Sequence, residues 1–410
     1  MKHFLTKEQR AELKDIIEFL GKSLDITKTQ FDNLTKSYTA VGEFLENDPT
    51  FALYRPIVTP QGSLRLGTII QPINVDDDLD VDLVYRLSDK KAAWTQKDLK
   101  DMVGARLKGS ERYSPMLKEE EGRRCWTLLY RDNSDSPKEK YHMDILPSVA
   151  DSKFNERLIL LFSECFSIST VDQLSIRITD KKDINYDTST RIECWLKSNP
   201  DGYALWFANR CKADESVRLN AEAIVPISGY NKDKTVLQRI VQILKRHRDV
   251  MFQDDKENKP ISIIITTLAA RVYDGESDLL DGLIKVVQKL EHGIEKRQNG
   301  EDWVVNPVNP EENFADKWSV YPERRENFYD WMEAIKRDVT EIISSVSSVT
   351  ILKTIGRAFG KETAKDVASQ LTEHRKSQLA TGATRLSKTG IVGANEEGRI
   401  INTANTFYGK

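Results

Sequence analysis

The chain has 410 residues, of which 39% are hydrophobic and 30% charged, and its formal net charge is −3. This composition is typical of a soluble globular protein with room for two packed lobes, and the lack of a basic excess argues against tight binding to duplex nucleic acid. The four cysteines include no CxxC pair, so they indicate neither a zinc site nor a disulfide framework. No apolar run reaches the roughly 18 residues of a membrane span, and the first residues lack the pattern of a signal peptide. We therefore expect a cytoplasmic protein without a membrane partner.

Helical periodicity dominates the first fifty residues. Apolar side chains recur at helical spacing, with charged residues between them, over residues 5–48. This pattern predicts a long amphipathic helix within residues 1–50 that is bent near Asp25 and braces the rest of the chain.

Short β-like runs and turn residues replace this pattern in residues 51–228. The runs lie at 79–87, 124–131 and 140–147, and the polar loop between the last two favours an antiparallel hairpin. Helical patterns return from residue 229 to residue 380, including an apolar segment at 261–272 that predicts a buried helix. The last thirty residues, 381–410, hold five of the twenty glycines and predict a flexible or extended tail.

The run LDVDLVYRL, residues 79–87, carries the first chemical signal. Side chains alternate between the two faces of a strand, so Asp80 and Asp82 are expected to point the same way, about 7 Å apart. A structural fold has little reason to place like charges side by side, because they repel each other. A competing interpretation is a solvated acidic turn, since Asp76, Asp77 and Asp78 come directly before the strand.

The run HMDIL, residues 142–146, supplies a third carboxylate, Asp144. If its strand lies beside the first, Asp80, Asp82 and Asp144 form the catalytic and metal-binding set of a two-metal site for phosphoryl transfer. Oxygen ligands and phosphate chemistry favour two Mg²⁺ ions, with Mn²⁺ as a substitute.

A phosphate-binding turn is expected upstream, at Gln61-Gly62-Ser63. Glycine lets the backbone approach a phosphate closely, and the serine hydroxyl can donate to its oxygens. A helix over Leu64–Ile70 would add its N-terminus to this site, and Arg65 lies close in the sequence.

The combination QGS…LDVDLVY…HMDILP, followed by KTVLQRIVQILKRHRD and NPVNPEENFADKW, resembles the bacterial CD-NTases. These are the cyclic-oligonucleotide synthases of CBASS antiphage systems, related to animal cyclic GMP–AMP synthase and to oligoadenylate synthase. The resemblance extends from about residue 40 to residue 345. It implies an α+β fold with a polymerase-β-like nucleotidyltransferase core, a C-terminal helical lobe and a bilobed cage spanned by the N-terminal helix.

The resemblance also implies roles for residues outside the metal site. Gln61 and Ser63 would contact the donor triphosphate, and Lys245 and Ser262 would bind a triphosphate from the second lobe. Lys245 is followed by three further basic residues, and a solvated basic helix face is an equal alternative. Asn313 would contact a nucleotide or, equally, cap a helix near the lobe junction.

ATP and GTP are the substrates that this family implies, and the expected product is a cyclic di- or trinucleotide that activates a downstream effector. Our best guess is a cyclic purine dinucleotide such as cGAMP, while the bases, ring size and linkage stay open. Two alternatives are a template-independent transferase that modifies RNA or protein, and a catalytically silent nucleotide sensor. The sequence has no zinc-finger-like insertion, which argues against activation by DNA.

The chain ends Phe407-Tyr408-Gly409-Lys410. In some CD-NTase systems a ubiquitin-like conjugation pathway joins the synthase C-terminus to other molecules, and an accessible terminus near a glycine suits that chemistry. An ordinary mobile terminus is the alternative.

Overall fold

The computed structural model describes residues 6–73, 79–130, 140–151, 174–211, 230, 233–380 and three short segments of the tail. Within these ranges the α-helices are α1 (Lys7–Ser23), α2 (Lys28–Glu46), α3 (Gly62–Leu66), α4 (Gln96–Lys108), α5 (Pro200–Arg210), α6 (Val236–Met251), α7 (Ser262–Val272), α8 (Leu279–Lys289), α9 (Pro322–Ser344), α10 (Ser348–Ala358) and α11 (Lys361–Ala380). The strands are β1 (Ile57–Gln61), β2 (Leu79–Leu87), β3 (Trp126–Tyr130), β4 (Tyr141–Ala150), β5 (Ile176–Ile178), β6 (Leu196–Ser198), β7 (Glu295–Lys296), β8 (Asp302–Trp303), β9 (Val305–Asn306), β10 (Asn309–Asn313), β11 (Arg385–Leu386), β12 (Val392–Gly393) and β13 (Ile400–Ile401).

The chain divides into two compact units. The sheet unit comprises Asp25–Gln238 and Ile294–Asp316, and the helical unit comprises Met1–Leu24, Arg239–Gly293 and Lys317–Lys410. This division differs from the boundaries that the sequence predicts, since residues 294–316 lie inside the expected helical lobe but group with the sheet.

The main sheet is mixed, which confirms the α+β prediction. Its order is β1-β2-β4-β5-β6, and β3 also pairs with β4. β2 and β4 are parallel, whereas β3 and β4 are antiparallel, as the predicted hairpin requires.

One face of this sheet is packed against α2 and α4. Its core combines alternate strand residues, such as Val81 and Met143, with Leu34 of α2 and Leu99 of α4. Burying each such side chain contributes about 1.5–3 kcal/mol. The core-facing side chains of β2 and β4 therefore point toward the helices, and the side chains that alternate with them lie on the opposite face of the sheet.

The predicted N-terminal helix is two helices. Thr6 and Thr27 each begin a helix with a capping box, in which the threonine hydroxyl and a glutamine three residues later satisfy free backbone N–H groups. The bend expected near Asp25 is therefore a complete break, and its two sides belong to different units.

In the helical unit, α1 packs against α8 and α11, and α10 packs against α9 and α11. The predicted buried helix at 261–272 is confirmed as α7, whose residues from Ile264 to Ala270 are buried. In the part of the chain that the structure describes, no helix is both long and apolar enough to span a bilayer.

The described parts of the C-terminal tail pair as a small three-stranded sheet of β11, β12 and β13. This pairing agrees with the extended alternative for the tail. Gly409 and Lys410, at which conjugation is predicted, lie outside the described residues, and so do Asp76, Asp77 and Asp78.

Candidate functional site

Two neighbouring strands bring three carboxylates to one face of the main sheet. On β2, Leu79, Val81 and Leu83 are buried, whereas Asp80 is exposed and Asp82 is half-buried. The parallel register sets Asp82 beside Asp144, and strands in a sheet lie about 4.8 Å apart. The predicted shared face of Asp80, Asp82 and Asp144 therefore follows from the alternation of each strand and from the register between them.

Two further side chains on this face contact Asp80 and Asp144. Asp80 lies opposite His142 in the register, and the Nε2 atom of His142 is 2.5 Å from the Oδ1 atom of Asp80. The hydroxyl of Thr127, on β3, donates to the Oδ1 atom of Asp144 at 2.5 Å. The sequence interpretation missed both residues, although the alternation of HMD already places His142 on the face of Asp144.

Cys125 also lies close to Asp144. Burial, reinforced by the charge and hydrogen bond of Asp144, raises the pKa of the Cys125 thiol to about 12. The thiol therefore stays protonated near neutral pH and is a poor nucleophile.

The predicted phosphate-binding turn contacts the carboxylate face directly. β1 ends at Gln61, the register partner of Asp82. Gly62 follows with φ +62, and a Cβ atom added there would be 2.2 Å from the Oδ2 atom of Asp82. Only glycine fits this position, because it has no Cβ and tolerates the left-handed conformation. Among the described residues, the Gln61 amide and the Ser63 hydroxyl have no protein hydrogen-bond partner and stay available to a ligand.

The helix after this turn is shorter than the sequence predicts. It covers Gly62–Leu66 and ends where Gly67 adopts φ +68. Arg65, expected to assist the phosphate site, instead pairs with Asp201 at 2.6 Å and donates to the carbonyl of Pro60. Its guanidinium is thus used to attach α3 to α5.

The donor set fits a hard divalent cation, because carboxylate oxygens are the ligands that Mg²⁺ and Mn²⁺ prefer. The contact between Gly62 and Asp82 also brings the phosphate-binding turn to the carboxylates. Within the described ranges, however, no three Asp, Glu, His or Cys side chains converge closely enough to form a metal cage. The carboxylates repel one another because they carry like charges. Asp80 pairs instead with His142, and Asp144 accepts a hydrogen bond from Thr127.

The helical unit contains the second group of predicted ligands. Lys245, Arg246, His247 and Arg248 are all buried, with Lys245 6% exposed and Arg248 4% exposed, so the alternative of a solvated basic face is wrong. Arg248 donates to the hydroxyl of Ser262 at 3.0 Å and to the carbonyl of Pro260 at 2.8 Å. The start of α7, with Ser262, is therefore fixed to α6 by one guanidinium.

His247 points to a different partner in the same unit. Its Nε2 atom donates to Asp338 of α9 at 3.0 Å, and Arg357 of α10 donates to the other oxygen of Asp338 at 3.1 Å. Burial lowers the pKa of His247, although the bond to Asp338 acts in the opposite direction. Burial alone would raise the pKa of Asp338, but the bond and charge of His247, with Arg357, hold it below its usual value.

Asn313 is part of the β9–β10 hairpin of the sheet unit. Its side-chain oxygen accepts from the backbone N–H groups of Val304 and Ala315, and its amide nitrogen donates to the carbonyl of Asp302. These bonds favour the structural alternative over a nucleotide contact, although the element stabilised is a hairpin and not a helix end.

The comparisons with known proteins agree with this arrangement. Residues 12–158 match the family model of the Second Messenger Oligonucleotide or Dinucleotide Synthetase domain, SMODS. A c-di-GMP synthase of Roseivirga ehrenbergii is 28% identical over 412 residues, covering 99% of both chains.

Two solved structures resemble the fold. The CD-NTase CdnG of Bradyrhizobium diazoefficiens, in complex with GTP, has a TM-score of 0.63 at 18% identity and covers 88% of this chain and 99% of its own. The cyclic AMP–GMP synthase DncV of Vibrio cholerae has a TM-score of 0.52 at 16% identity, over 87% of this chain and 89% of its own. Residues 12–158 thus resemble the SMODS domain, the chain shares its fold with these two CD-NTase structures, and these similarities indicate a nucleotidyltransferase.

Proposed function

We propose that this protein joins purine nucleoside triphosphates into a cyclic dinucleotide by two-metal catalysis, with Asp80, Asp82 and Asp144 as metal ligands. The observation that carries this proposal is the shared face on which Asp82 lies beside Asp144 and against Gly62. A triphosphate bound at the turn then lies next to the carboxylates that would hold its counter-ions.

Each proposed site residue of the sheet unit has a role in this reaction. Ser63 and Gln61 donate to the donor triphosphate, and Gly62 lets its phosphates approach the backbone. The ribose hydroxyl of a second nucleotide loses its proton to solvent and attacks the α-phosphorus, a P–O bond forms, and pyrophosphate leaves with the electrons of the broken P–O bond. A second reaction of the same kind closes the ring. Two divalent ions, when bound, would lower the pKa of the attacking hydroxyl and neutralise charge on the phosphates.

Two residues of the helical unit are proposed ligands as well. By resemblance to other CD-NTases, Lys245 and Ser262 bind a triphosphate, with the ammonium group neutralising charge and the hydroxyl donating a hydrogen bond. Arg248 supports this role, because it holds the Ser262 hydroxyl at 3.0 Å. Asn313 is left out of the proposed nucleotide site, since the backbone already occupies its amide.

The product that we propose first is c-di-GMP. The Roseivirga relative that spans 99% of this chain is named a c-di-GMP synthase, whereas the structural relative DncV is named a cyclic AMP–GMP synthase. The mixed product cGAMP, our guess from the sequence, is the second candidate. We propose a role in antiphage signalling through a downstream effector for either product.

The test supplies GTP alone, ATP alone, both together, and all four ribonucleoside triphosphates, each with Mg²⁺. Phosphatase treatment and mass spectrometry then identify the products that survive. A phosphatase-resistant product from GTP alone supports c-di-GMP, and one that needs both purines supports cGAMP. A label that appears on added RNA or protein instead would favour the alternative transferase, and nucleotide binding without any turnover would favour the silent sensor.

Conjugation of the C-terminus stays a prediction. Intact mass of the protein, co-produced with the proteins of its own operon, measures it directly. An unmodified mass, together with unchanged function after removal of Gly409 and Lys410, would rule the conjugation out.

A further inference from the structure

Asp80 is the most exposed of the three carboxylates. Its side chain is 65% exposed, and it is the second residue of β2. Asp82, by contrast, lies against Gly62, and Asp144 accepts from Thr127. An exposed side chain near a strand end samples several rotamers, and fixing it for metal binding costs conformational entropy. A neighbour that selects one orientation of Asp80 would therefore lower the entropic cost of binding a metal ion.

His142 is placed to be that neighbour. The parallel register sets it directly opposite Asp80 on the same face, and its Nε2 atom is 2.5 Å from the Asp80 Oδ1 atom. Backbone hydrogen bonds of the two central strands fix this relation, so it does not depend on a mobile loop. The imidazole is 30% exposed, which makes it the more buried and more constrained partner.

The contact uses one oxygen of the carboxylate. Oδ1 of Asp80 pairs with the imidazole, and such a pairing restricts the rotation of the carboxylate. Side chains that hydrogen-bond to metal ligands in this way orient them and raise metal affinity, and their loss typically costs about 10- to 100-fold.

We propose that His142 is a positioning residue that orients Asp80 for divalent-metal binding. This inference rests on the proposed function, in which Asp80 is a metal ligand. The competing role is the opposite one, in which the imidazole occupies the carboxylate and must be displaced by the ion. The two roles predict opposite signs for the effect of removing the ring.

The experiment measures Mn²⁺ binding to the full chain without nucleotide, by the loss of the free Mn²⁺ signal in electron paramagnetic resonance. The variants are His142→Ala, His142→Leu and His142→Gln, whose amide nitrogen can reach the position of Nε2. Leu129→Ala is the matched control, because Leu129 is the β3 register partner of His142 on the same face. Asp80→Asn provides the reference for loss of the ligand, and thermal melts check that each variant is folded.

We expect His142→Ala and His142→Leu to need about 10-fold or more Mn²⁺ for half-saturation. His142→Gln should recover much of the affinity, and Leu129→Ala should bind like the parent. If Asp80→Asn weakens binding but His142→Ala and His142→Leu bind as tightly as the parent or tighter, the positioning role is wrong and the proposed function stands. If Asp80→Asn itself binds like the parent, Asp80 is not a metal ligand, and the positioning role is lost together with this part of the proposed function.

Discussion

The carboxylates of the sheet unit and the basic side chains of the helical unit are both candidates for nucleotide binding, yet they are held in different ways. Asp80 and Asp82 lie on a sheet face that stays accessible, next to a turn whose Ser63 hydroxyl has no described protein partner. The basic run Lys245–Arg248 is buried, and two of its members have identified protein partners in Ser262 and Asp338.

This difference follows from the cost of burying charge. A buried ion must be paired or hydrogen-bonded, because its desolvation is otherwise too expensive. The arginine and histidine of α6 therefore serve the fold of their unit, whereas the aspartates can keep their hydration for exchange with a ligand. We expect substitutions in the two regions to separate activity from stability.

The largest expected effect is on turnover, from Asp80→Asn combined with Asp82→Asn. Losing two metal ligands should remove about 4 kcal/mol or more of transition-state stabilisation, a rate loss of at least about 1,000-fold. Because the change relieves like-charge repulsion, the melting temperature should stay level or rise. Product formation and thermal melts measure both, with the exposed pair Asp366→Asn and Glu373→Gln of α11 as the charge-matched control. A double mutant that melts far below the parent would assign these aspartates a structural role.

Gly62→Ala should give the next largest loss. The new Cβ would be 2.2 Å from the Asp82 carboxylate, so the turn or the carboxylate must move, and a shift of about 1 Å can cost about 100-fold in rate. Gly300→Ala is the control, since Gly300 also has a positive φ of +80 but nothing within 4 Å of an added Cβ. Both variants should lose about 1–2 kcal/mol of stability from backbone strain. Equal activity in the two would show that the Gly62 contact is unimportant.

Two serine substitutions compare the units directly. Ser63→Ala removes a hydroxyl that is available to phosphate, so GTP affinity should fall by about 1.5–3 kcal/mol, or roughly 10- to 150-fold. Ser262→Ala should weaken GTP binding less and lower stability more, because its hydroxyl already accepts from buried Arg248. Calorimetric titration with a non-hydrolysable GTP analogue and urea unfolding measure the two quantities. The reverse ranking would mean that Ser262 is the stronger GTP ligand and Ser63 the structural residue. Exposed Ser344→Ala should change neither quantity.

The smallest expected effect is a pH dependence of stability in the helical unit. Burial depresses the pKa of His247 below its ordinary 6.5, so the unfolded chain binds more protons just below that pH. The free energy of unfolding should therefore fall as the pH is lowered from about 7.5 to about 5.5. The depressed pKa of Asp338 acts only at lower pH, near and below its ordinary 3.8. Urea unfolding at several pH values should give a shallower slope for His247→Gln, and an equal slope would exclude His247 as its source.

Local sequence patterns predicted the strands well. Alternation of apolar and acidic residues gave β2 with its observed bounds, and the polar loop before residue 140 gave the β3–β4 hairpin. The sequence interpretation assumes that β2 and β4 are neighbours and does not predict their parallel direction, because no local pattern specifies which distant strands pair. His142 and Thr127 could be recognised as part of the site only with that register.

The structure of the helical unit was harder to predict from the sequence. A run of four basic residues normally lies on a solvated face, whereas all four are buried here, and Arg248 and His247 bond to Ser262 and Asp338, which are 14 and 91 residues further along the chain. Residues 294–316 were likewise assigned to the helical lobe, although Phe314 packs against Tyr203 and Glu311 pairs with Lys197 in the sheet unit. These contacts join segments about a hundred residues apart, which no local periodicity reveals.

The register between β2 and β4 links correct folding to the placement of the carboxylates. A slip of one residue would set Met143 or Ile145 opposite Asp82, and would turn Asp144 toward the core. The chain would then lose apolar burial and bury a carboxylate at the same moment, so a misregistered molecule would be unstable and would lose the metal ligand that we propose at Asp144. Under the proposed function, a chain with this slipped register would therefore make no cyclic dinucleotide.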